Sequence, residues 1–480
     1  MSPDYRLYIE GAFRDPVAGG TIGVRDPALG REFAKVAYGS RADARLAVEA
    51  AVRAFPAWRE TNVYNRADFL HRVAGLMRQR ADRLAEALTR EVGKPLGESK
   101  AEALGAAATL EWSAEAAKRD QGEFILSNAN QKRIFTLRSP VGVVAGIAPW
   151  NFPLMLLCRK LGPALAVGCT FVGRAASQTP RATMELFGCI HDAGLPAGAA
   201  NLVTGPSSEQ GQEFVENPAV KKISFTGSTE VGRKLMAAAA GQVKKLSLEL
   251  GGHAPFIVCP DADLKRAAEV AVKGKFRNMG QSCIAPSRFY VPRDRARAFA
   301  EEAARLASAL RIGNGLEPGV EVGPLIDEKR LASTEALIED IQRQGGTILC
   351  GGQRPRDPAL AQGYFYEPTV ALNVTDKMLI AQDEPFAPIL PVMAYDSIDE
   401  AIDRANSVIY GLAAYAVTND MALMFKLADR LESGVIGINE FAPAAPQAPF
   451  GGVKQSGVGR EGGWQVLDAY TETKMVSIVL

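Results

Sequence analysis

Between Val141 and Glu249 short apolar runs alternate with helix-forming segments, and few folds accept that pattern. GVVAGI, CTFVGRA, NLVTG, VKKISFTG and KKLSLEL read as strands. The segments between them, from CRKLGPALAVG to STEVGRKLMAAAA, read as helices. Near-continuous apolar strands joined by helical crossovers predict a parallel sheet covered on both faces. Sheets of this kind bind nucleotides beyond the carboxyl ends of their strands. A second α/β series opens near Gly252, with APFIV as strand, DADLKRAAEVAVKGKF as helix, SRFYVP as strand and RDRARAFAEEAARLASAL as helix. At 480 residues the chain exceeds one ordinary core, so two or three domains are expected.

The flanks read differently. Tyr5 to Tyr38 predicts short strands and turns, and Ser40 is placed to cap a helix through Ala54. One further helix is expected to carry Leu70, Val73, Met77, Leu84 and Leu88 and to stop at Gly93, with an alanine-rich helix after it. RIFTLRS alternates with period two and has no helix beside it, which predicts a ribbon projecting from the body; the tail KMVSIVL has the same character.

Charge and composition exclude several functions. Lys and Arg number 55 against 54 Asp and Glu, so nothing draws the whole chain to nucleic acid or to an anionic membrane. Six cysteines without CxxC pairs suit a reducing compartment, and three histidines with no zinc spacing predict no metal centre. The N-terminus lacks the apolar core of a secretory signal, and no apolar run reaches the roughly 20 residues of a membrane span. The expected location is the cytoplasm.

Three stretches carry residues suited to chemistry. In KFRNMGQSC, Cys283 follows a helical segment on a turn of small residues, where Arg277 and nearby backbone N–H groups could lower a thiol pKa. Taken alone, a free cysteine is more often a small core residue. Glu249 ends the strand KKLSLEL, where burial would raise its pKa as a general base requires; a solvated strand-end charge is the bland alternative. Asn151 in APWNFP sits between Pro149 and Pro153, a rigid mount for an oxyanion donor or simply a turn asparagine. ISFTGSTEVG gives a strand, a turn and a helix start, which suits a pyrophosphate at Gly227 and Ser228 and equally suits an ordinary helix cap. A cysteine hydrolase pairing Cys283 with His253, and a non-catalytic scaffold, are the rival readings.

APWNFP, LELGGHAP and KFRNMGQSC together resemble the aldehyde dehydrogenase superfamily, and the resemblance spans nearly the whole chain. It implies an α/β fold of two doubly wound parallel-sheet domains. Residues 1–121 and 140–251 would form a Rossmann-like cofactor domain and 252–450 the catalytic domain. Residues 122–139 and 466–480 would extend a sheet across the interface of a homodimer or homotetramer. The resemblance assigns Cys283 as nucleophile, Glu249 as the base that activates the hydrolytic water, and Asn151 as oxyanion donor. Trp150, Gly227, Ser228, Glu384 and Phe386 match positions that serve the nicotinamide cofactor. The chain departs from the pattern in GRAASQTP: Arg174 and Ala175 replace a Lys-Pro pair, and Ser177 stands where NAD-preferring members often carry Glu. A cation without that carboxylate favours NADP over NAD.

RK at Arg159 and FRN at Arg277 are similar to succinate-semialdehyde and α-ketoglutarate-semialdehyde dehydrogenases. Both arginines could clamp a substrate carboxylate. Ala444 holds the place of a serine that assists the carboxylate in the first subgroup, whereas GGHAP and GREGGW look closer to the second. The implied reaction is attack of Cys283 on a small aldehyde, hydride loss to leave a thioester, and hydrolysis to the acid, with succinate semialdehyde favoured.

Overall fold

The computed structural model describes residues 5–480. Five parallel strands form the centre of the first sheet, in the order Lys245–Glu249, Val220–Thr226, Val143–Ile147, Thr170–Arg174, Ala200–Val203. All five positions of Val143–Ile147 and of Thr170–Arg174 are buried, as strands covered on both faces require. Antiparallel strands close its edges: Leu7–Ile9 meets Ala200–Val203 through Tyr8 and Leu202, and Gly457–Val458 pairs with Leu248 and Glu249. That last pairing returns the chain to the first sheet after the second is complete, and it lays a strand beside Glu249.

The second sheet has seven strands, with Ala254–Val258 between Pro286–Pro292 and Ala413–Val417. Its only antiparallel strand is the edge Thr347–Cys350. A third sheet pairs Lys132–Pro140 with Thr471–Val479 from Pro140 opposite Thr471 to Lys132 opposite Val479, and Phe124–Ile125 flanks it. This is the ribbon the period-two pattern predicts.

Two helical expectations change. Ser40 caps the first helix, its hydroxyl accepting from Ala42 N–H, but the helix runs Arg41–Glu60, past Ala54 and through Pro56. Pro56 removes the bond to the Val52 carbonyl on a face open to solvent, while buried Trp58 anchors the last turn. The single helix expected to end at Gly93 is two, Val63–Gln79 and Ala81–Val92, broken at Arg80 (φ −103°, ψ 18°). Its apolar spacing survives the break because both pieces cover the same core. Among the described residues no helix is long and apolar enough to cross a membrane.

Candidate active site

Cys283 lies between the helix Leu264–Phe276 and the strand Pro286–Pro292 of the second sheet. Three consecutive residues before it, Asn278, Met279 and Gly280, have φ of 46°, 57° and 71°. A non-glycine residue in that region costs about 1–3 kcal/mol and persists only where its surroundings over-determine it. They do so here. The carboxylate of Glu98 accepts from Asn278 N–H (3.0 Å), and the Gln281 side chain donates to Asn278 O (3.1 Å) and accepts from Ile326 N–H (2.9 Å). The strain and these bonds hold the cysteine in one place. Behind it the backbone of Gly252 runs so close that a Cβ there would lie 2.2 Å from the Cys283 carbonyl oxygen.

The electrostatics of Cys283 differ from the sequence expectation. Burial, then Glu384 and Glu249, push the thiol up to about 12, and Arg159, not Arg277, is the cation that pulls it down. At rest the group is a thiol, so its reaction requires a base to take the proton.

Two cavities meet at Cys283. On one side lie Trp150, Asn151, Gly227, Ser228, Glu384 and Phe386, the residues expected to face a nicotinamide cofactor. Asn151 is buried, and its Nδ2 donates to Gln281 O (3.1 Å), which joins it to the nucleophile segment. Trp150 and Phe386 meet edge to face, with ring centroids 6.0 Å apart. Glu384 accepts from Gly252 N–H (2.8 Å), and burial raises its pKa to about 8. A carboxyl that is largely protonated near neutrality can both donate to and accept from a ribose diol. Ser228 caps the helix Thr229–Ala239, accepting from Val231 N–H (3.4 Å); the cap and the pyrophosphate readings of FTGS therefore describe one helix N-terminus.

Beyond that helix start a further cleft is lined by Arg174, Ser207, Gln212, Val231 and Lys234. Buried Arg174 donates through Nη2 to Gly205 O (3.0 Å), while its Nε has no partner. Ser177 also reaches Gly205 O, at 3.5 Å. Ala175 N–H donates to Val203 O (3.1 Å), a bond that a proline could not make. An orphan guanidinium N–H near a helix N-terminus, with Lys234 (itself paired with Glu230) on the same cleft, suits an anionic group of a dinucleotide.

The second cavity carries Arg159, Arg277, Phe152, Ala444 and Phe450 around Cys283. Arg159 is buried with its guanidinium 4.3 Å from the Phe450 ring centre, and Arg277 stands 5.4 Å from that of Phe152. Among the described residues neither arginine has a hydrogen-bonded or ion-paired protein partner. Stacked on rings and free of close ion pairs, although Glu98 acts on Arg277 and Glu249 on Arg159 at longer range, the two cations suit an anion.

Glu249 lines neither cavity. Its carboxyl faces Gly451, where a Cβ would come within 2.7 Å of Oε1, and its Oε2 has no partner. Burial, reinforced by Glu461, raises its pKa well above the carboxylate range, against the pull of Lys160, Arg159 and Arg460. The expected direction of shift is present; the orientation is not one that sequence reveals.

Sequence reading missed several residues around these. Lys160 Nζ bonds Glu461 (2.5 Å) and Thr226 Oγ1 (2.6 Å), putting a buried ion pair beside Glu249. Arg330 lies 5.5 Å from the Phe386 ring centre and lines the cofactor-side cavity. Lys94, Glu98 and Glu102 stand behind Asn151 and Asn278. Lys160 and Glu461 fall inside RK and GREGGW, where the reading fixed on their neighbours, and the others come from stretches that read as plain helix or loop. His253 Nδ1 is engaged by Ser287 Oγ (2.7 Å), and no hydrogen bond among the described residues joins it to Cys283. The hydrolase pairing is therefore not formed. No cluster of metal-ligating side chains occurs among the described residues.

Comparison with known proteins places these features. The family described as "Aldehyde dehydrogenase family" matches residues 13–476. Glutarate-semialdehyde dehydrogenase of Pseudomonas putida is 44% identical over 473 residues, 98% of this chain and 97% of that protein. The NADP(+) succinate-semialdehyde dehydrogenase of Escherichia coli is 43% identical over 472 residues, with 98% and 97% covered. A crystal structure of an NADP-dependent enzyme from E. coli superposes with a TM-score of 0.97 at 42% identity, covering 99% of this chain and 98% of that one.

Proposed function

The chain belongs to the aldehyde dehydrogenase family, and on that premise we propose that it oxidises a carboxylate-bearing semialdehyde to the diacid, with succinate semialdehyde the first candidate. One observation carries the substrate reading: Arg159 and Arg277, neither held in a close ion pair, share a cavity with Cys283. The aldehyde enters with its carboxylate on the arginines and its carbonyl at Cys283. Asn151 Nδ2 and the backbone N–H of Cys283 stabilise the oxyanion as the thiol adds, with its proton passing to ionised Glu249, which releases it to solvent before the hydrolytic step. Trp150, Gly227, Ser228, Glu384 and Phe386 would hold a nicotinamide dinucleotide, which would supply the hydride acceptor needed for the Cys283 adduct to become a thioester. Glu249, turned from Gly451 towards the thioester, then takes a proton from the attacking water and the acid departs.

Glutarate semialdehyde is the second reading. Ala444 lines the arginine cavity where a serine is expected for the four-carbon substrate, and its small side chain leaves room for a longer one.

Absorbance at 340 nm with succinate, glutarate and uncharged aldehydes of similar length tests the proposal. Arg277→Ala is expected to raise KM for the carboxylated aldehydes roughly 10- to 100-fold, about 1.5–3 kcal/mol for a charged hydrogen bond, and to leave the uncharged one unchanged. Arg159→Ala should do the same and also lower kcat, because Arg159 is the cation acting on both Cys283 and Glu249. Equal losses on charged and uncharged aldehydes would sink the clamp.

The cofactor is a nicotinamide dinucleotide, with NADP+ preferred. Arg174→Ala is expected to raise KM for NADP+ roughly tenfold, about 1.4 kcal/mol, with NAD+ little affected. Parallel changes for both cofactors would assign Arg174 to the fold alone. The exposed Phe124, Met475 and Val479 on the third sheet, with Leu126 just beyond its short strand, support its use between copies of the chain in a homodimer or homotetramer. Six free cysteines support a reducing, cytoplasmic setting.

A further inference from the structure

We propose that Lys94 and Glu102 are positioning residues for the oxyanion donor: a buried ion pair, delivered from outside the parallel sheet, that fixes the turn carrying Asn151. The inference rests on the assignment of Asn151 under the proposed function.

The helix Pro153–Val167 begins immediately after that turn, and its cap residue Phe152 offers no side-chain acceptor. The first N–H groups of a helix have no partners within it and must find them elsewhere. Pro153 has none to satisfy. The next two, on Leu154 and Met155, both donate to Oε1 of Glu102, at 3.0 and 3.1 Å. Glu102 comes from the helix Leu96–Ala117, so the cap is supplied by a distant segment, and its negative charge suits the positive end of the dipole.

The other oxygen of Glu102 takes the Lys94 ammonium, and both side chains are fully buried. Lys94 Nζ also donates to Asn151 O (3.1 Å) and lies 4.1 Å from the Phe152 ring centre. Residues 151, 152, 154 and 155 are thus all gripped by this one pair.

A third residue extends the device. Glu98 lies four residues before Glu102, on the same helix face, and accepts from Asn278 N–H where the strained segment before Cys283 begins. One helix therefore indexes the donor turn and the nucleophile turn against each other. Asn151 Nδ2 spends one N–H on Gln281 O, which leaves the other to be aimed at the substrate oxygen. Aim matters, because a displacement of about 1 Å at a reacting group can cost roughly 100-fold in rate.

The test is a double-mutant cycle. Lys94→Met with Glu102→Gln removes both charges together, so no buried ion is left unpaired, and the Gln amide oxygen still caps Leu154 and Met155. This variant is expected to lower kcat for the aldehyde roughly 10- to 100-fold, with KM for aldehyde and NADP+ and the alkylation rate of Cys283 each within about twofold. In an Asn151→Ala background the same change should alter kcat less than about twofold, since nothing remains to position. Should the double variant fold poorly, Lys94→Arg, which keeps the charge but shifts the donor, enters the same cycle with an expected loss of roughly threefold to tenfold. A multiplicative loss in the Asn151→Ala background, or an unchanged kcat in the Asn151-containing variants, overturns the positioning role. An unchanged kcat in Asn151→Ala itself removes the donor assignment as well, which distinguishes the two failures.

Discussion

Cys283→Ala is expected to lower aldehyde oxidation by roughly 10^4-fold or more while leaving dinucleotide binding intact. The thiol is the one sulfur where the two cavities meet, and four of the other cysteines are fully buried. Its replacement removes the atom that must bond to the carbonyl carbon, and the hydride has no tetrahedral adduct to leave from. The resting electrostatics sharpen the expectation. With Glu384 and Glu249 nearby and the thiol pushed up to about 12, alkylation of Cys283 in the free protein should be slow at neutral pH. It should quicken as pH rises beyond the ordinary thiol range of about 8.5. Mass spectrometry of iodoacetamide-treated protein reads this directly. Fast modification at pH 7 would contradict the protonated resting thiol, and residual turnover in Cys283→Ala would reject the residue as nucleophile.

Glu249→Gln should separate the two halves of the reaction. One equivalent of reduced cofactor per subunit is expected to form in a burst, after which turnover slows by roughly 10^2- to 10^4-fold, the usual contribution of a general base. The sign of the pH dependence follows from the carboxyl's raised pKa. Below that value Glu249 is protonated and cannot accept a proton from water, so thioester hydrolysis should speed up as pH climbs through it. Gln removes the titration and should flatten the dependence. Stopped-flow absorbance at 340 nm resolves both phases. A burst-free variant with normal steady turnover would assign the hydrolytic base elsewhere, with Glu461, held by Lys160, the nearest carboxyl.

Much of the molecule was legible along the chain. The alternation from Val141 to Glu249 specifies parallel strands because each must be apolar throughout to be covered on both sides, and the burial of Val143–Ile147 and Thr170–Arg174 bears this out. The two helical misreadings have local causes. The first helix runs six residues past Ala54 because Pro56 falls on an exposed face, and Arg80 breaks a helix whose apolar spacing runs on regardless.

By itself the sequence determined the fold class, the reactive residue types and their mounts, because strand periodicity, turn residues and motifs act over a few neighbours. Asn151, Gly227, Ser228, Cys283, Glu384 and Phe386 could be named without coordinates, and they converge on one cavity. Only the tertiary structure decided how those groups behave. The sign of the Cys283 shift depends on burial and on carboxylates 34 and 101 residues away in the chain, Glu249 and Glu384. The aim of Glu249 depends on Gly451, and the rigidity of the Asn151 turn depends on Lys94 and Glu102. Coulomb interaction and desolvation are set by distance in space and by the exclusion of water, and neither is a property of neighbouring residues in a chain.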